Sequence, residues 1–204
     1  MIEFLIYGIK MDVRRRILGI VILPLFAITV LVNCTTTAST SYKKPCYEVS
    51  NIPLVETLND FSKLIEDENI NDLILTIYYL NPLILSRGAY CVDDIITHDR
   101  MHKFVIVGSE LKRNIDLFKK FIIDSFIPVE IKSFLNARIY YVFETNKGQK
   151  IFDVVMWGFY NNSIFINGYE MEENEIFYDA IIPFLPEDLV KYLEMRLGKI
   201  PYPD

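Results

Sequence analysis

Three consecutive arginines, Arg14, Arg15 and Arg16, run directly into sixteen uncharged residues at 17–32 (ILGIVILPLFAITVLV). A stretch this apolar belongs in a bilayer or in a targeting signal, so the rest of the chain has to fold without it. As a helix it would reach about 24 Å, short of the roughly 30 Å hydrocarbon core of a membrane. Pro24 stands in its middle and removes a helical hydrogen bond. A positive n-region followed by a short h-region is the pattern of an export signal. The competing reading is an uncleaved, single-pass anchor with the arginines on the cytoplasmic side.

The run closes on Leu31-Val32-Asn33-Cys34. This ending resembles a lipobox, the signal that precedes the lipidated cysteine of bacterial lipoproteins. Leu31 and Val32 fit the pattern, and Asn33 stands where Gly, Ala or Ser is usual. The resemblance implies cleavage before Cys34, lipidation of Cys34 and a membrane-anchored domain outside the cytoplasm, at the cell membrane or an outer membrane. Thr36 and Ala38 are small residues that suit ordinary cleavage after Ala38, which would give a secreted protein instead. Residues 1–10 (MIEFLIYGIK) do not fit the signal, whereas a start at Met11 would give MDVRRR, a compact charged n-region. We therefore expect translation from Met11, a signal peptide ending at residue 33, a flexible tether over 34–45 and a single domain over 46–204.

Removing residues 1–33 takes away four Lys/Arg and two Asp/Glu, leaving 17 basic against 25 acidic residues and a net charge of about −8. Such a charge disfavours nucleic acid and anionic membrane surfaces as partners. The three cysteines are Cys34, Cys46 and Cys91. With Cys34 lipidated, Cys46 and Cys91 remain as an even pair in a compartment that permits disulfides. Two buried free thiols are the alternative, since a thiol packs as a small apolar residue.

Beyond the tether, whose residues 35–45 (TTTASTSYKKP) are mostly small and polar, periodicity alternates between helix and strand. Residues 57–67 place Leu58, Phe61, Leu64 and Ile65 on one helical face, with Thr57 as N-cap. Residues 72–80 (DLILTIYYL) and 102–109 (HKFVIVGS) read as strands. Ser109 is placed to cap a helix carrying Leu111, Ile115, Phe118 and Ile122 on one side. From 138 to 172 the pattern is a meander: 138–144, 150–157, 163–166 and 169–172, with a hairpin signal at Asn167-Gly168. Two helices close the chain, one over 174–184 and one from Pro186 to Leu197, the second followed by Gly198. The expected fold is α+β, a mostly antiparallel sheet with helices packed on it.

Chemistry is sparse. The only histidines are His98 and His102, in His98-Asp99-Arg100-Met101-His102. On a helix, residues four apart share a face and both rings could reach one metal, as in the zinc-peptidase helix. Asp99 replaces the Glu of that motif, and the stretch runs straight into a predicted strand, so a polar connecting turn is the expected reading. Asp93-Asp94 and the cluster Glu170, Glu172, Glu173 and Glu175 lack the regular oxygen-ligand spacing of a calcium loop. There is no G-x-S-x-G, no phosphate-binding loop and no G-x-G-x-x-G, so neither a catalytic residue nor a cofactor is expected. The aromatic turn at 157–162 could stack on a sugar, but core packing of Trp157 and Phe159 is the simpler expectation.

These features favour a non-enzymatic envelope lipoprotein whose domain binds a protein or a wall component, with an immunity-type protein as one specific form. A metal-dependent hydrolase using His98 and His102 is the rival, and a single-pass membrane protein the third.

Overall fold

The computed structural model describes residues 46–47, 49–67, 69–121, 126–129, 135–158 and 163–202. Cys34, the apolar run, the tether, Ile122 and the turn at 159–162 lie outside the described residues. The chain divides after Lys44, and everything described belongs to the unit Pro45–Asp204. Among the described residues no helix is long and apolar enough to cross a membrane.

The fold is α+β, built on one six-stranded antiparallel sheet. Its strands are β1 (Leu73–Tyr79), β2 (His102–Val107), β3 (Leu135–Thr145), β4 (Lys150–Gly158), β5 (Ile164–Ile166) and β6 (Tyr169–Met171), in the spatial order β2-β1-β3-β4-β5-β6. The meander read from the sequence is β3 to β6, closed by the Asn167-Gly168 hairpin with both residues at positive φ, as this tight turn demands. β1 is inserted between β2 and β3 and pairs along its length with both. Its sequence, LILTIYY, is rich in the β-branched and aromatic residues that suit a strand flanked on both sides.

One face of the sheet carries the main core. Leu75 and Ile77 of β1, Tyr141 and Phe143 of β3 and Phe152 and Val154 of β4 alternate onto it. Helix α1 (Leu54–Glu66) packs there through Leu58, Phe61 and Ile65. The Phe61 ring meets Phe143 at 4.9 Å and Phe152 at 4.8 Å, edge to face, the favoured geometry for aromatic pairs. The C-terminal segments cover the same face. Tyr79 donates its hydroxyl to Leu189 O (2.8 Å), and Tyr141 donates to Phe177 O (3.2 Å).

Several helix expectations need correction. α1 starts at Leu54 behind Pro53, so Thr57 is not its cap but a buried residue within it. Proline before the first turn needs no donor, which lets the helix begin early. The helix expected behind Ser109 is broken into α3 (Gly108–Leu111), a 3₁₀ turn at Lys112–Asn114 and α4 (Ile115–Phe118), with Ser109 inside α3. The 174–184 helix is likewise split, into α5 (Ile176–Asp179) and a 3₁₀ turn at Ile182–Phe184. Pro183 has no N–H to donate to the carbonyl four residues back, so the α-helical hydrogen-bond ladder cannot continue through it. The last helix, α6 (Glu187–Arg196), follows Pro186 and ends before Gly198, which has φ +71°.

Candidate interaction surface

The opposite face of the sheet is where the unusual side chains gather. Antiparallel register aligns them in rows: Lys103, Tyr78, Tyr140 and Val155; then Val105, Thr76, Val142 and Asp153; then Val107, Ile74, Glu144 and Lys150. In the first row Lys103 Nζ lies 5.3 Å from the Tyr78 ring centroid, and Tyr78 stacks on Tyr140 at 5.7 Å. A cation over an aromatic face is attracted by the ring quadrupole.

Toward β4 and β5 this face is covered by the first described residues of the domain and by the 80–101 connection. Cys46 and Cys91 are joined by a disulfide, with their Cα atoms 4.8 Å apart. Beside it, Tyr47 donates its hydroxyl to Asp153, and Ser50 N–H donates to Asn167 O (2.9 Å). Asp153 is only 3% exposed and also accepts from Lys150 Nζ (2.9 Å) and from the Tyr140 hydroxyl (3.3 Å). A buried carboxylate is tolerable when ionic and phenolic donors surround it in this way. Burial, with Asp153 alongside, raises the pKa of Tyr47 and Tyr140 well above that of an ordinary phenol, so both stay neutral donors.

The other half of the cover is held by Arg138, 6% exposed. Its guanidinium donates to Asn136 Oδ1 (2.7 Å), Ala137 O (2.9 Å), Ser86 Oγ (3.0 Å) and Ile84 O (3.3 Å). The Tyr90 ring lies 4.9 Å from its Cζ. Burial lowers its pKa from the ordinary value, and among the described residues no carboxylate pairs with it. Its planar fork suits this set of neutral oxygens, which fixes the 84–90 connection onto the sheet.

The histidines do not form a helical pair. Helix α2 (Val92–Ile96) stops before His98, and His102 already opens β2. His98 belongs to a turn: its Nδ1 accepts from the Arg100 N–H (3.1 Å) and lies 3.0 Å from Asp99 Oδ1, and its Nε2 faces the Tyr90 hydroxyl at 3.4 Å. The His102 ring stacks parallel to Phe104. The acidic residues are also dispersed. Asp94 accepts from the Cys91 N–H (2.7 Å), Glu175 pairs with Lys199 (3.4 Å), and Glu170 is buried in β6. Among the described residues no three His, Cys, Asp or Glu side chains are grouped to hold a metal. Trp157 is 1% exposed and packs against Tyr178, with ring centroids 5.9 Å apart, so it is core and not a sugar platform.

Two open features among the described residues bear on binding. A cleft of about 350 Å³ lies between α1 and the β3–β4 turn, lined by Asp60, Lys63, Asp67, Gln149 and Lys150 among others. Its lining mixes both charge signs at mostly exposed positions and points to no single ligand. The second feature is β2 itself, an edge strand whose Val105 and Val107 are 54% and 49% exposed on the disulfide-bearing face. The alternation in HKFVIV was readable as a strand, but its place at the edge follows from β1 inserting beside it, which no local pattern shows. Comparison with family models, with curated proteins and with solved structures yields no match.

Proposed function

We propose that this chain is a non-enzymatic cell-envelope lipoprotein, tethered through Cys34, whose domain binds another protein or a wall component. The observation that carries the address is the arginine-led apolar run ending in Leu31-Val32-Asn33-Cys34. The Cys46–Cys91 disulfide supports it, because such bonds persist in oxidising compartments outside the cytoplasm. The same disulfide and the Tyr47–Asp153 bond fasten the chain to the sheet directly after the tether, a fitting attachment for a domain held at a surface.

Intact mass of the protein recovered from its native membrane tests this reading. A diacyl-modified species beginning at Cys34 is expected. A mass that retains residues 14–33 would replace the lipoprotein by a single-pass anchor, and an unmodified species beginning after Ala38 would replace it by a secreted protein.

A further inference from the structure

We propose that the outer edge of β2 is a strand-addition site for an extended, acidic segment of a partner protein. This inference rests on the protein-binding reading above and names the surface and the partner's chemistry.

The two edges of the sheet are treated differently. On β6, residues 126–129 lie alongside: Val129 N–H donates to Glu170 O (2.9 Å), Glu172 N–H donates to Ile127 O (2.8 Å), and Pro128 bridges to Met171. On β2, among the described residues, β1 is the sole strand partner. Natural edges are commonly disabled by bulges, prolines, inward-pointing charges or lysines on the edge. Of these β2 has only Lys103, whose ammonium lies over the Tyr78 ring. The six residues of β2 pair with β1 without a register shift. Val105 and Val107, two residues apart, project on the same face beside Thr76 and Ile74. A strand added here would gain backbone hydrogen bonds from the edge and apolar contact from alternate side chains, the usual division of affinity and specificity in β-augmentation.

Charge selects the partner. Residues 46–204 hold 15 Lys/Arg against 25 Asp/Glu, yet residues 100–113 carry Arg100, Lys103, Lys112 and Arg113 against Glu110 alone. All four of those basic residues are exposed. The open edge therefore sits in a basic stretch of an acidic domain, which attracts an acidic strand and steers its approach. A second copy of the chain would bring this basic stretch against itself, and like charges across adjoining strands oppose that pairing.

The test uses the full chain in detergent and two capped octapeptides, one alternating Glu with Val and one alternating Lys with Val. Amide exchange of His102–Val107 should slow by about tenfold or more when the Glu-Val peptide is added, and the Lys-Val peptide should bind about tenfold more weakly. The Val105→Glu/Val107→Glu variant should reverse that preference, and its unchanged circular dichroism would show that it folds. Equal binding of both peptides, or protection elsewhere than β2, would overturn the proposal. So would exchange of β2 that slows with protein concentration alone, the sign of pairing between copies. Capture of the same stoichiometric protein from native membrane by wild type and variant alike would sink this edge while leaving the protein-binding reading intact. Capture of no protein by either would remove that reading as well.

Discussion

Tyr47 and Asp153, 106 residues apart in the chain, are joined through the tyrosine hydroxyl and the buried carboxylate. Because Cys46 is the preceding residue and is bonded to Cys91, the start of the domain is fixed to the sheet at two adjacent points. One fastening is covalent and one depends on protonation of a phenol. They lie on the same face as the exposed valines of β2, so the start of the domain and its open edge are built on one side of the sheet.

Replacing Tyr47 by Phe keeps the ring against Phe165 and removes the donor to Asp153. A hydrogen bond to a charged group contributes about 1.5–3 kcal/mol, so urea unfolding should show a loss in that range. Tyr140→Phe should cost less, since its bond to Asp153 is 3.3 Å long and the carboxylate keeps its other donors. An equal loss for the two variants would mean that Tyr47 is not the principal phenolic donor.

Alkaline pH should unfold the domain through its buried phenols. Burial is the leading cause that raises the pKa of Tyr47, Tyr79, Tyr140, Tyr141 and Tyr178 above the ordinary value of 10.0. The unfolded chain then loses these protons first, so stability conferred by the shift is complete below pH 10.0 and is lost as pH rises toward the folded-state values. Each phenol contributes a slope of at most about 1.4 kcal/mol per pH unit in that window. Unfolding free energies measured from pH 8 to 11.5, together with tyrosinate absorbance, check this. Titration of all the phenols near 10 in the folded protein would contradict it.

Gly108 should not tolerate even a methyl group. A Cβ there would stand 2.1 Å from Ile70 O and 2.5 Å from Asn71 Cα, both backbone atoms that cannot rotate away. Forced displacement in a packed region typically costs about 1–3 kcal/mol, and Gly108→Ala should lower the unfolding midpoint accordingly. A midpoint unchanged from wild type would show that the β2–α3 junction yields freely.

Trp157 reports on the core without any ligand. It is buried, packs on Tyr178 and has φ +91°, uncommon for a bulky residue. Its emission should be blue-shifted and its quenching by acrylamide weak in the protein alone. Red-shifted, readily quenched emission would show that the ring is open to water.

What the sequence reveals follows the range of each signal. The meander was legible because β3 to β6 are joined by short turns, and Asn167-Gly168 marks its own hairpin. The α+β class was legible for the same reason, since helical and strand periods are local. β1 was readable as a strand but not as the one inserted between β2 and β3, a long-range pairing. The helices after Ser109 and before Pro186 were overextended because an apolar stripe persists through 3₁₀ turns, at Lys112–Asn114 and around Pro183, where the α-helix is interrupted. The Tyr47–Asp153 pair was missed altogether. Neither residue has a neighbour in sequence that signals it, and only register brings Asp153 into the row of Val142 beneath the segment that holds Tyr47.

The two fastenings should be energetically coupled. The disulfide closes a loop of 45 residues, for which the chain-entropy estimate is about 4 kcal/mol and typical measured losses are about 2–4. A Cys46→Ser/Cys91→Ser variant should lose stability in that range. Tyr47 would then be held only by its own contacts at the start of the domain, so ordering it would offset more of what its hydrogen bond contributes. Tyr47→Phe should therefore cost less in the serine background than in wild type, a coupling of about 0.5–3 kcal/mol in a double-mutant cycle. Strict additivity would show that the Tyr47–Asp153 bond forms independently of the covalent link, and that the start of the domain stays docked when the disulfide is reduced.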